Sequence, residues 1–289
     1  MNRKFIKTEK KYYEKCLKAG SMTRLNYVSN TYDDEKRTIY KNALIYLPYN
    51  YEKDDRDYNV FYLMHGGGGN SDEVFGGIDA KTDLKNILDN MIALGDIEPI
   101  IVVAPSFYYE GTTEALTSTK DAKLLTQNFH YELVKDLIPL VEEKFRVRSG
   151  REHRAFGGYS MGSEATWNVF VNCLNEFKYF LPMSGDCWAV KLQGGLLCPV
   201  ETVDFIEKAI EKSGVDKRDY RIFACVGDDG VAYNPTNTMI EEMKNNRKYF
   251  EFGEEFSKGN IVYCIAEGGT HSYEYCYMYI QNALPHFFE

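Results

Sequence analysis

Ser160 lies in the run GGYSMGS (157–163), with a glycine two places before it and another two places after it. The residues just before, HRAF (153–156), read as a strand, and EATWNVFVNCL (164–174) carries apolar residues at helical spacing. A strand-to-helix turn of the pattern G-x-S-x-G lifts a serine hydroxyl above a sheet, at the positive end of a helix. A glycine-rich turn with a capping serine would give the same letters, but the strand before it and the helix after it favour a nucleophile. A serine hydroxyl is weak at neutral pH and needs a base. Two histidines follow Ser160: His271 in EGGTHSY (267–273), and His286 in the aromatic end of the chain. His271 leaves a late strand through a loop, which is where a base belongs, whereas His286 reads as packing or surface.

The acid that would fix the imidazole tautomer should follow the strand YRIFACVG (220–227), where the chain continues DDGVAY (228–233). Asp228 or Asp229 could accept the imidazole hydrogen bond; DDG is also ordinary turn chemistry. Acyl transfer further needs two N–H donors for the oxyanion. The backbone of Met161 should supply one. The other should come from HGGGGN (65–70), with Gly67 the expected donor and Gly66 or Gly68 the alternatives. Glycine suits this loop because the backbone must come close to the substrate. A nucleotide-binding reading of these glycines fails, since neither the phosphate-loop lysine nor a suitably placed acidic residue follows.

The rest of the chain supplies the scaffold. Apolar strands are expected at 41–51, 58–64, 99–105, 153–160, 177–185, 220–227 and 260–269. They alternate with helices at 83–95, 128–145, 164–174, 202–214, 238–246 and 273–288. Pro139 should bend or interrupt the second of these. Such alternation implies an α/β fold: a mostly parallel central sheet with helices on both faces. Residues 1–19 read as a charged N-terminal segment, helical over 4–19, and 20–289 as a single domain. The stretches 107–125 and 186–201 lack periodicity and are expected as loops or lids over a site.

Composition narrows the field. The net charge is −9, which disfavours nucleic acid and anionic membrane surfaces as partners. No run of eighteen or more apolar residues is present, so no membrane span is expected. Five scattered histidines and seven unpatterned cysteines suggest neither a metal site nor a disulfide framework. The opening MNRKFIKTEKKYYEK has no apolar stretch behind its basic residues, so a cytoplasmic chain is expected, or a secreted one if the sequence is a trimmed piece.

Over roughly residues 20 to 289 the chain resembles the feruloyl esterases of carbohydrate esterase family 1, and most of all the feruloyl esterase modules attached to clostridial xylanases. FYLMHGGGGN, NILDNMIALGDIEPIIVVAP, FGGYSMGSEATW, FLPMSGDCW, EFSKGN and GGTHSYEY…YIQNALPHFF carry the resemblance. It implies an α/β-hydrolase fold, no cofactor, and hydrolysis of hydroxycinnamoyl esters on plant xylan through Ser160, His271 and an aspartate. The substrate would be a small-molecule or oligosaccharide ester. Acetylxylan or another short-acyl ester is the alternative, and a decayed carbohydrate-binding protein the alternative of a different class. The similar modules carry their acid just before an IAY-like stretch; here Gly230 precedes VAY, with Asp229 one place earlier. Asp229, Asp228 or an unrelated carboxylate could then serve. The resemblance also marks Asp186 as a feature near the site, where it is expected to contact substrate. Trp188 is expected as a wall for an aromatic acyl group, with a core role as its other reading.

Overall fold

The runs NVFYLM, IIVVA, YFLPM and IVYCIA are apolar at every or nearly every position, so both of their faces must be covered. The structure, a computed structural model, describes residues 2–110, 112, 120–245 and 247–288. In chain order its strands and helices are β1 (Arg3–Lys4), β2 (Ser21–Asn30), β3 (Thr38–Leu47), β4 (Asn59–Met64), α1 (Leu84–Leu94), β5 (Ile100–Ala104), α2 (Lys120–Glu132), α3 (Ile138–Lys144), β6 (Arg154–Tyr159), α4 (Met161–Cys173), β7 (Tyr179–Met183), α5 (Gly194–Leu197), α6 (Pro199–Ser213), β8 (Arg221–Gly227), α7 (Tyr233–Lys244), β9 (Phe252–Gly253), β10 (Ile261–Ala266) and α8 (Tyr273–Ala283).

The strands form one ten-stranded sheet in the order β1-β10-β8-β7-β6-β4-β5-β3-β2, with β9 also on β10. The pairings from β5 through β10 are parallel; β3 runs antiparallel to β5 and to β2. Alternation along β4 divides the core. Val60, Tyr62 and Met64 join the cluster that includes Trp167, Phe170, Val203 and Met239. Phe61 and Leu63 join Leu84, Leu88, Tyr279 and Ile280 on the other side. Thus α1 and α8 cover one face, and α4, α6 and α7 the other. This is an α/β-hydrolase architecture, and the parallel strands end their C-terminal edges in loops along one rim.

The N-terminal segment departs from expectation. Residues 4–19 do not form a helix: β1 pairs with β10, and only Lys10–Tyr12 make a short 3₁₀ turn. Tertiary contacts win over a weak local stripe, since so short a helix is marginal alone. Tyr12 is buried and donates to Asp96 at 2.6 Å, while Asn282 bonds both the N–H and the carbonyl of Ile6. β2 is a further strand that periodicity did not pick out. Between α2 and α3 the helix passes through a π turn at Leu133–Leu137, just before Pro139, which cannot donate to the preceding turn. Of the loop expected at 107–125, residues 111 and 113–119 lie outside the described residues and α2 begins at Lys120. The loop expected at 186–201 includes α5 and the start of α6. None of the seven cysteines is in a disulfide. Among the described residues, no helix is long and apolar enough to cross a membrane.

Candidate active site

β6 ends at Tyr159 and α4 begins at Met161, so Ser160 alone turns the chain. Its backbone sits at φ 57°, ψ −120°, a region that residues with a Cβ rarely enter. Such strain costs on the order of 1–3 kcal/mol and persists only where neighbours enforce it. Here the Ser160 N–H donates to the Met183 carbonyl at 2.9 Å, and the Ser160 carbonyl accepts from the Ser163 N–H at 2.8 Å. The flanking glycines are steric necessities. A Cβ on Gly158 would collide with the Gly162 backbone, and one on Gly162 would lie 2.5 Å from the Met64 carbonyl oxygen.

The loop after β10 brings His271 to this turn. Its Nε2 lies 2.9 Å from the Ser160 Oγ. The Tyr159 ring packs against the imidazole, with centroids 4.8 Å apart. Burial holds the His271 pKa below the usual histidine value. Neither Asp228 nor Asp229 hydrogen-bonds the imidazole of this histidine. Asp228 and Asp229 are both exposed, and the Nδ1 of His271 is buried with no hydrogen-bond partner among the described residues. The physical reason is local: the Asp228 carboxylate accepts the Gly268 N–H at 2.7 Å, and the Asp229 N–H donates to the Gly269 carbonyl. The turn is thereby tied to the loop backbone rather than to the imidazole ring.

The glycine run after β4 reaches over the same turn. The Gly66 N–H donates to the Tyr273 hydroxyl at 2.9 Å and the Gly68 N–H to the Tyr108 hydroxyl at 3.1 Å. Of the three candidate donors, Gly67 is the one whose N–H has no such partner among the described residues. It is exposed, and a Cβ on it would lie 2.7 Å from the Met161 sulfur, so Gly67 and Met161 are neighbours. His65 anchors the run. Its Nδ1 meets the Gly66 carbonyl at 2.6 Å and its Nε2 the Ser106 hydroxyl at 2.7 Å. A carbonyl can only accept, so Nδ1 carries the proton and Nε2 accepts from Ser106. Burial pushes the His65 pKa down to about 4, which keeps the ring neutral. Behind Ser106, Lys41 donates to its carbonyl at 2.7 Å and to Glu132 at 3.0 Å, and Tyr27 donates to Glu132 at 2.6 Å. A buried hydrogen-bonded chain therefore runs from α2 to the glycine loop.

Asp186 and Trp188 lie on the loop after β7. Asp186 is only 3% exposed, and both of its carboxylate oxygens are engaged: one accepts from Trp188 Nε1 at 2.9 Å, the other from the Gly195 N–H at 2.7 Å. Its side chain is buried and holds the loop. Trp188 is half-buried and oriented by this bond. The same loop touches the nucleophile turn, because Gly185 accepts from Ser163 Oγ at 2.9 Å and Trp167 Nε1 at 3.2 Å. Glu164, one turn along α4, is buried; burial and the nearby charge of Asp186 push its pKa well up. Sequence reading missed His65, Tyr108, Tyr273 and Glu164. Only His65, the first letter of HGGGG, carried a signal. Among the described residues no group of three or more His, Cys, Asp or Glu is placed to hold a metal ion.

This arrangement matches known proteins. The Esterase family model covers residues 39–286. The chain belongs to the Esterase family. Across 96% of its length this esterase-family chain is 39% identical to endo-1,4-beta-xylanase Y of Acetivibrio thermocellus, of which it spans 24%. Over 66% of its length it is 30% identical to an endo-1,4-beta-xylanase/feruloyl esterase of Xylanibacter ruminicola, again spanning 24% of that protein. The chain thus covers about a quarter of the curated relatives it matches. Among solved structures, a mutant of the feruloyl esterase module from Clostridium thermocellum complexed with sinapinate superposes with a TM-score of 0.84 at 36% identity, covering 100% of this chain and 95% of that one. A ferulic acid esterase from Anaeromyces mucronatus shares the fold, with a TM-score of 0.72 at 18% identity over 98% of each chain.

Proposed function

We propose that this chain is a serine esterase that hydrolyses feruloyl and related hydroxycinnamoyl esters of plant cell-wall xylan oligosaccharides. The observation that carries the reading is the 2.9 Å contact between Ser160 Oγ and His271 Nε2 at a strained strand-to-helix turn. Ser160 attacks the ester carbonyl as His271 takes its proton. The backbone N–H groups of Met161 and Gly67 hold the tetrahedral oxyanion. His271 then protonates the departing sugar alkoxide oxygen, which leaves as a hydroxyl. Water, deprotonated by the same histidine, releases the acid and restores Ser160. Trp188, oriented by Asp186, forms an aromatic wall for the acyl group. The acyl class is supported by the sinapinate-bound neighbour and by the relative named as a feruloyl esterase.

A panel of esters tests the acyl class. Methyl ferulate and methyl sinapinate are expected to show kcat/KM at least about tenfold above that of a nitrophenyl acetate, the discrimination that a few buried contacts supply. Preference for the acetyl ester would move the chain to short-acyl esters.

The pH profile tests the base. His271 must be neutral to accept the serine proton, and its folded pKa lies below the usual value. Activity is therefore retained as pH falls through about 6.5 and lost at lower pH. The acidic limb of kcat/KM should have its midpoint below about 6.5; a midpoint above that value would mean that a nearby anion stabilises the imidazolium.

A further inference from the structure

A histidine serving a serine nucleophile usually leans on a carboxylate that accepts its Nδ1–H, fixes the tautomer and stabilises the imidazolium. For Nε2 of His271 to accept the Ser160 proton, Nδ1 must carry its own. That atom is buried and has no partner among the described residues. Neither of the two aspartates nearest in sequence hydrogen-bonds that atom. The Asp228 side chain caps the Gly268 N–H at 2.7 Å, and the Asp229 backbone is tied to Gly269 at 3.0 Å, with both residues exposed. The Tyr159 ring of β6 packs on the imidazole, and Tyr273 of α8 packs on Tyr159 in turn. Burial is the cause of the lowered His271 pKa.

The backbone that faces the histidine from the β8 loop belongs to Gly230. A Cβ built there would lie 3.3 Å from the His271 backbone nitrogen and 3.5 Å from its Cβ. Gly230 is not among the positive-φ glycines, so a side chain is compatible with its backbone. A carboxylate extending from that Cβ has Nδ1 within reach.

We propose that Gly230 occupies the position of the supporting acid, so that His271 and Ser160 work as a two-member pair and neither Asp228 nor Asp229 takes part in turnover. The inference rests on the serine-esterase reading above. The proton path is unchanged: from Ser160 Oγ to Nε2, then to the leaving alkoxide. What is lost is the anion that steadies the imidazolium between these transfers. Gly230→Asp should restore it.

The test compares wild type, Ser160→Ala, Asp228→Asn, Asp229→Asn and Gly230→Asp on a nitrophenyl acetate, together with labelling by a fluorophosphonate. The two asparagine variants are expected to keep kcat within about threefold, where loss of a true triad acid costs about 10⁴-fold. Gly230→Asp is expected to raise kcat at least about tenfold and to move the acidic limb of kcat/KM to higher pH, because a carboxylate beside the ring favours its charged form. A strongly deshielded Nδ1 proton should appear in its NMR spectrum and be absent from wild type. A drop of about a hundredfold or more in folded Asp228→Asn or Asp229→Asn overturns the proposal, as does a folded Gly230→Asp that gains nothing. Should Gly230→Asp not fold, the asparagine variants decide. If wild type neither labels nor turns over in a Ser160-dependent way, the esterase reading itself fails and takes this inference with it.

Discussion

Ser160→Ala should lower kcat by about 10²-fold in the natural chain and by about 10⁶-fold in a Gly230→Asp background. The two numbers differ because the members of such a site act as a unit. In a complete triad, removing the serine costs about 10⁶ and removing the acid alone about 10⁴ to 10⁵, so a chain already without its acid has only the remainder left to lose. Background hydrolysis assisted by the amides of Gly67 and Met161 sets the floor in both cases. Folding should be intact, since alanine keeps the Cβ and leaves the φ of 57° as it was. Ser160→Gly makes the useful contrast. It removes the same hydroxyl but relieves backbone strain worth about 1–3 kcal/mol, and so should raise Tm by several degrees. Steady-state kinetics and thermal unfolding of the two variants read these effects separately. An alanine variant that is folded and fully active would refute a serine nucleophile.

The turn around Ser160 was legible in the sequence because its requirements are local. Gly158 and Gly162 must be glycine for steric reasons, and strand and helix periodicity begin within a residue of the turn. The parallel sheet was legible for a similar reason: runs apolar on both faces admit few other arrangements. What was hidden depends on contacts distant in sequence. Residues 4–19 carry a weak helical stripe, yet Asn282 and Asp96, far along the chain, hold the segment extended. β2 runs along the sheet edge and exposes every second residue over its latter half, so its pattern is diluted by polar residues. The acid loop is hard to read for a subtler reason. DDG announces a turn but not which residue faces inward, so the letters alone do not choose the neighbour of the histidine. Asp186 looked like a site residue and proved to be a loop fastening, because nothing in SGDCW foretells the amide of Gly195 nine residues on.

Gly162→Ala should destabilise the fold and impair catalysis, although helix propensity alone predicts the reverse. Gly162 is the second residue of α4, where alanine is favoured over glycine by about 1 kcal/mol. Against this, the added Cβ would lie 2.5 Å from the Met64 carbonyl oxygen and 2.6 Å from that of His65. These are backbone atoms at the end of β4 and cannot swing away as a flexible side chain would. Relief requires the first turn of α4 to move from β4, at a cost of about 3 kcal/mol or more. The clash therefore exceeds the propensity gain, and Tm should fall by several degrees. The same movement separates the N–H of Met161 from that of Gly67 and shifts Ser160 from His271. A displacement approaching 1 Å at such a site costs on the order of 10²-fold in rate. Thermal unfolding and kcat per folded molecule are the two measurements. A variant that is more stable and equally active would mean that β4 and α4 are not in the close contact from which the oxyanion geometry follows.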